Sequence, residues 1–147
     1  MKLLTEIIKD CSYKYGSRIA LRDEYSGYTV TFRELYNDIM SMAGALQHFG
    51  VVKGTHVAMF SENCSPWFCV DRGIMMAGGV SAVRGSLAPK SELEYIIDDS
   101  KASLMITDHE APSIDIQTYI PENISSYKNC DVLPAENTDW DDLCQLQ

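Results

Sequence analysis

The chain has 147 residues, 46% of them hydrophobic and 22% charged, with a formal net charge of −9. That balance excludes a disordered chain. No apolar run approaches the roughly 20 residues needed to cross a bilayer, and the acidic excess argues against nucleic-acid binding.

The charge is uneven: residues 1–107 carry 11 Lys and Arg against 12 Asp and Glu, while residues 108–147 carry only Lys128 against nine acids. The length suits one domain, or one subdomain of something larger. The opening Met1-Lys2-Leu3-Leu4 fails as a signal peptide, because Glu6, Lys9 and Asp10 interrupt it. Cys11, Cys64, Cys69, Cys130 and Cys144 are odd in number and lack Cys-x-x-Cys spacing, which predicts free thiols in a reducing compartment. A cytoplasmic or organelle-stromal location follows.

Leu3, Leu4, Ile7, Ile8 and Cys11 recur at helical spacing, so residues 3–15 read as a first helix ending near Gly16. Residues 19–23 read as a strand, Ser26-Gly27 as a turn, and residues 28–31 as the hairpin partner. Thr31-Phe32-Arg33-Glu34 is a capping box. Behind it Leu35, Ile39, Met42, Ala43, Leu46 and Phe49 form one apolar face, and Gly50 supplies the stop.

Residues 56–60 are apolar on both faces, as strands covered by helices are. Ser65 is a candidate N-cap with Pro66 in the first turn, and Trp67, Val70, Ile74 and Met75 mark the buried side of a helix ended by Gly78-Gly79. Residues 81–84 form a short strand. Pro89 opens another helix with Leu93, Ile96 and Ile97 inward, and residues 103–107 form a third strand.

Residues 55–107 thus read strand–helix–strand–helix–strand, which predicts an α/β fold: a mostly parallel sheet, helices on both faces, right-handed crossovers. Residues 1–108 are expected to form the regular α/β subdomain and residues 109–147 an acidic, less regular continuation. Within the latter, residues 130–133 read as a strand and residues 139–147 as a short helix.

No stand-alone catalytic signature occurs: no G-x-G-x-x-G, Walker loop, G-x-S-x-G or H-E-x-x-H. His48, His56 and His109 have no recognisable partners, and no metal site is predicted. The candidate site is the loop Arg84-Gly85-Ser86-Leu87-Ala88. Parallel sheets bind ligands beyond the C-terminal ends of their strands, where helix N-termini offer free N–H groups. Gly85 lets a ligand approach the backbone, and Arg84 offers a fork of donors suited to phosphate. The alternative is a tight turn in which Arg84 pairs with an internal carboxylate. Trp67 either lines an apolar acyl pocket or fills the core.

These residues carry a resemblance. Thr31-Phe32-Arg33-Glu34-Leu35, with the helix running to Leu46 and Gly50, resembles the first core motif of AMP-forming acyl-activating enzymes. Residues 51–63, residues 75–86, and the stretch from Glu92 to Asp108 are similar to three further segments of that family, in the same order. The resemblance covers about residues 5–108. Asn63-x-Ser65-Pro66-Trp67 and Ala82-Val83-Arg84-Gly85-Ser86 look most like the long-chain fatty acid synthetases of cyanobacteria and plastids.

The resemblance implies the N-terminal subdomain of an acetyl-CoA synthetase-like fold. It also implies a two-step reaction: adenylation of a fatty acid by ATP with Mg²⁺, then transfer to coenzyme A or acyl carrier protein. Arg84, Gly85 and Ser86 would touch the thiol acceptor. The family's Ser/Thr/Gly-rich loop ending Pro-Lys-Gly, its acidic ribose motif and its C-terminal lysine do not occur here. The chain alone is therefore expected to be inactive, to bind none of these cofactors tightly, and to self-associate through surface that the remaining enzyme would cover. Two competing readings are a truncated module acting by protein interaction and a piece of a peptide-synthetase-type adenylation domain.

Overall fold

Strand and helix alternate through most of the chain in the computed structural model, which describes residues 3–24, 27–107, 114, 116, 118 and 119. The elements are α1 (Leu4–Tyr15), β1 (Ile19–Arg22), β2 (Thr29–Thr31), α2 (Phe32–His48), β3 (His56–Phe60), α3 (Ser65–Met76), β4 (Val80–Arg84), α4 (Lys90–Ser100), β5 (Leu104–Thr107) and β6 (Thr118–Tyr119). β1 and β2 form an antiparallel hairpin with an irregular register between Ile19 and Leu21. The other strands form one all-parallel sheet in the order β4-β3-β5-β6. The two-residue β6 was not expected, since so short a strand leaves no periodic signal. The expected strand at residues 130–133 and helix at 139–147 lie outside the described residues.

Alternation along β3 divides the core. Val57 and Met59 join Leu104 and Ile106 of β5 beneath α2 and α3. Ala58 and Phe60 join Met105 and α4's Leu93 and Ile97 on the opposite face. Helices thus cover both faces of the sheet, and β3, apolar after His56, is buried from Val57 to Phe60.

α2 is the framework helix. Thr31 Oγ1 accepts from the Glu34 N–H (3.3 Å) while Glu34 Oε2 accepts from the Thr31 N–H (2.9 Å). The Phe32 and Arg33 N–H groups donate to the carbonyls of Arg18 and Gly16, so the first turn leaves few orphan donors. At the other end Gly50 N–H donates to Gln47 C=O and Val51 N–H to Leu46 C=O, with Gly50 at φ 89°. That is a Schellman ending. Leu35, Ile39, Met42, Ala43 and Leu46 are all buried. Each large one of these contributes roughly 2 kcal/mol relative to exposure.

α3 differs from expectation in two details. Its N-cap is Cys64, and Ser65 is already helical. The Ser65 hydroxyl donates instead to Asp23 Oδ2 (3.1 Å), tying the hairpin end to α3. Its buried apolar set is Cys69, Val70, Gly73, Ile74 and Met76, beside the buried polar Ser65 and Asp71, whereas Trp67 and Met75 are half-buried. The helix is wedged between α2 and the sheet, so a single stripe does not describe it.

Candidate functional site

The chain leaves β3 for β4 on one side and returns over α4 to β5 on the other. The strand order therefore reverses between β3 and β5, where open parallel sheets leave a crevice at the carboxyl ends of the strands. That end is lined by Ser61 and Glu62 after β3, by Arg84 to Ala88 after β4, and by Thr107 closing β5.

The loops after β3 and β4 leave the sheet together. Phe60 is in register with Arg84, and the Ser61 N–H donates to the Arg84 carbonyl at 3.1 Å, extending the ladder beyond the strands. Arg84 Nε donates to Glu92 Oε1 at 2.7 Å, and Nη2 faces Glu92 Oε2 at 3.5 Å. This pairing raises the guanidinium pKa further and lowers that of the Glu92 carboxyl. Of the two arrangements open to the sequence, Arg84 adopts the carboxylate pairing; only the donors that Glu92 leaves free can face a ligand.

Gly85 does not have a positive φ, so space rather than conformation explains it. A Cβ there would lie 2.7 Å from Glu62 Oε1. The same carboxylate oxygen is 3.5 Å from the Leu87 N–H. The Ser86 hydroxyl oxygen is buried and has no hydrogen-bond partner among the described residues.

Trp67 lies elsewhere. It packs against the cluster beneath α2 and α3, whereas Arg84 pairs with α4 on the opposite face. The structure thus brings Arg84, Gly85 and Ser86 together with Glu62 and Glu92, and leaves Trp67 apart. His48 ends α2 and His56 begins β3, both exposed, and His109 is outside the described residues. Among the described residues no cluster of His, Cys, Asp and Glu could hold a metal ion. Burial and Asp38 push the Tyr28 phenol up to about 12, and the Tyr28 hydroxyl donates to Asp38 Oδ2 at 3.2 Å. Burial likewise pushes the Cys69 thiol up, which makes it packing rather than a nucleophile.

Glu62 was missed by sequence reasoning. It is one polar residue in a loop, and nothing local marks it. The usable signal was the parallel pairing of residues 56–60 with 80–84, which sets the two following loops side by side.

Similarity to known proteins is consistent with this geometry. The AMP-binding enzyme family matches residues 8–144. A chloroplastic long-chain-fatty-acid–acyl-carrier-protein ligase of Arabidopsis thaliana is 33% identical over 110 residues, covering 74% of this chain and 15% of the ligase. A long-chain-fatty-acid–CoA ligase of Bacillus subtilis is 30% identical over 106 residues, covering 72% of this chain and 19% of the ligase. The chain therefore spans less than a fifth of the length of either relative. Among solved structures, the N-terminal subdomain of Klebsiella oxytoca NpsA superposes with a TM-score of 0.78 at 22% identity, covering 93% of this chain and 34% of that one. The N-terminal domain of FACL13 from Mycobacterium tuberculosis gives 0.79 at 16% identity, covering 92% and 38%. With the four ordered segments on the same winding of strand and helix, the chain belongs to the AMP-binding enzyme family and has the fold of its N-terminal subdomains.

Proposed function

We propose that this chain is the N-terminal scaffold of an ATP-dependent, AMP-forming long-chain fatty acid ligase and supplies one wall of its thiol-acceptor site. The observation that carries the reading is the 33% identity to a chloroplastic long-chain ligase over 110 residues, which span the Arg84-Gly85-Ser86 type of loop in a parallel-sheet context. On this reading Arg84, Gly85 and Ser86 border coenzyme A or the arm of an acyl carrier protein, and Trp67, half-buried on α3, lines the acyl pocket. ATP and Mg²⁺ are handled by residues outside this chain, in the cytoplasm or a plastid stroma.

Residues 1–147 alone should give no ATP–pyrophosphate exchange with long-chain fatty acids; exchange above background overturns the division of labour. Coenzyme A added to the isotope-labelled chain should shift the amides of residues 84–86, and unshifted amides at millimolar ligand overturn the acceptor wall. A second reading, an amino-acid-activating adenylation domain, has in its favour 33% identity over 94 residues to the trichosetin synthetase of Gibberella fujikuroi. Exchange by the protein that carries this segment, stimulated by amino acids and not by fatty acids, would select it.

The chain alone is also proposed to self-associate. β4 ends the sheet among the described strands, with Val80 46%, Val83 43% and Leu87 79% exposed. Sedimentation should show a concentration-dependent mass, and a monomer at high concentration counts against it.

A further inference from the structure

We propose that the junction of α1 and α2 carries a docking surface for an acidic protein, built from Lys14, Arg18 and Arg33 around the Tyr15 ring. The inference rests on the reading of the chain as part of a thiol-transferring ligase. It narrows the acceptor to a carrier protein of acidic surface, whose body meets this junction while its arm reaches the loop after β4.

The charge here runs against the trend of the chain. Residues 9–33 carry five Lys and Arg against three Asp and Glu, in a chain of net charge −9. The backbone brings three of the five together. The Arg33 N–H donates to the Gly16 carbonyl at 3.2 Å and the Phe32 N–H to the Arg18 carbonyl at 3.0 Å, which sets the end of α1 against the first turn of α2. Lys14 Nζ lies 5.2 Å and Arg18 Cζ 5.3 Å from the centroid of the Tyr15 ring, and that ring leans on Phe32 at 6.1 Å. Arg33 lies over Gly16, where a Cβ would be 2.8 Å from its Nη2. All three cations are exposed, and none forms an ion pair among the described residues. The neighbouring acid, Glu34, turns its Oε2 back to the N–H and hydroxyl of Thr31 in the α2 cap. The aromatic contacts hold Lys14 and Arg18 without neutralising them, and the amino end of α2 adds positive potential.

The junction also stands at the end of the sheet that the acceptor reading requires. α2 packs over β3 and leads into its start, so the first turn of α2 lies toward the carboxyl ends of the strands. The Ser65–Asp23 bond fixes the hairpin between α1 and α2 at that same end. The loop from Arg84 to Ala88 leaves the sheet there too. Cations spread over two elements suit a protein face bearing several carboxylates, and complementary charge of this kind steers and orients an encounter.

The isotope-labelled chain is titrated at low salt with a carrier protein in its apo form, which lacks the pantetheine arm. The amides of residues 14–18 and 32–34 should shift, and binding should weaken steeply as salt is added. The combined variant Lys14→Gln, Arg18→Gln, Arg33→Gln should bind at least about fivefold more weakly. Arg18→Glu, a single exposed reversal, guards against a folding defect in the triple variant and should weaken binding in the same direction. Undiminished binding by these variants, or shifts confined to other residues, overturns the proposal. Equal affinity for polyglutamate of matched charge also overturns it, since the surface would then be an unselective field. The apo carrier cannot reach the acceptor wall, so a failure of that reading appears separately, as the absence of coenzyme A shifts at residues 84–86.

Discussion

Gly73 sits where α2 and α3 approach most closely. A Cβ there would meet Met42 Cγ at 2.5 Å and Met42 Cβ at 2.9 Å. Gly73→Ala gains about 1 kcal/mol of helix propensity but overpacks a buried contact, which costs about 1–3 kcal/mol. The second effect wins because Met42 is fully buried and its own Cβ cannot retreat. Urea unfolding should show a net loss of about 1 kcal/mol, and in a Met42→Ala background, which removes Cγ but keeps Cβ, the same substitution should cost measurably less. A loss that persists unchanged there would mean the contact is not its cause. Tyr28 carries a different prediction. Its phenol is raised from 10.0 to about 12, so the fold favours the neutral form. The associated stability is whole below pH 10 and is lost as pH rises toward 12. Melting temperature should fall across that window, and less steeply in Tyr28→Phe; parallel curves would assign the loss to other groups, such as Tyr36, which burial also pushes up to about 12.

Helix endings show how local chemistry sets element boundaries. α2 and α3 both stop at a glycine with positive φ, Gly50 at 89° and Gly78 at 87°, each with the paired Schellman bonds. α4 closes with the same Ala102 N–H to Ile97 C=O bond, but the left-handed position is Lys101 at φ 56°. A side chain there is strained, and Lys101 is exposed, so nothing packs to compensate. Lys101→Gly should stabilise the chain by about 0.5–1 kcal/mol, read as a higher urea midpoint with unchanged slope. A lower midpoint would place the larger effect in the unfolded chain's entropy. These endings, and the Thr31–Glu34 box, were legible in the sequence because each is decided within a few residues. The Gly73 notch, the Ser65 hydroxyl bound to Asp23 and the Glu62 carboxylate over Gly85 were not. Each depends on a partner at least 20 residues away, whose approach is fixed only once the strand order is known. The parallel sheet was legible because residues 56–60 are apolar on both faces, a pattern that already requires two covering layers.

The two layers covering the sheet are unequal, and that sets where the molecule opens. Beneath α2 and α3 a single buried cluster runs from Val30 to Ile106, joined by the hairpin through Tyr28–Asp38 and Ser65–Asp23 and by α3 to β4 through Ser81 Oγ–Asp71 Oδ1 at 2.8 Å. On the opposite face α4 buries only Leu93 and Ile97, against Ala58, Phe60 and Met105, with Ile114 and Ile116 at the margin. α4 begins without a side-chain cap, at Pro89, and ends on the strained Lys101. Opening α4 therefore exposes far less apolar surface than opening α2, and surface exposed sets both the free energy and the denaturant dependence of an opening. Native-state hydrogen exchange should find the α4 amides exchanging through a low-energy opening insensitive to small amounts of urea. The α2 and β3 amides should exchange only through global unfolding, with a steep urea dependence. Leu93→Ala should then accelerate exchange in α4 well before it alters α2. If α4 proves as protected as α2, with the same urea slope, the two faces form one cooperative unit. The loop from Arg84 to Ala88, which α4 anchors through Glu92, would in that case be as rigid as the core.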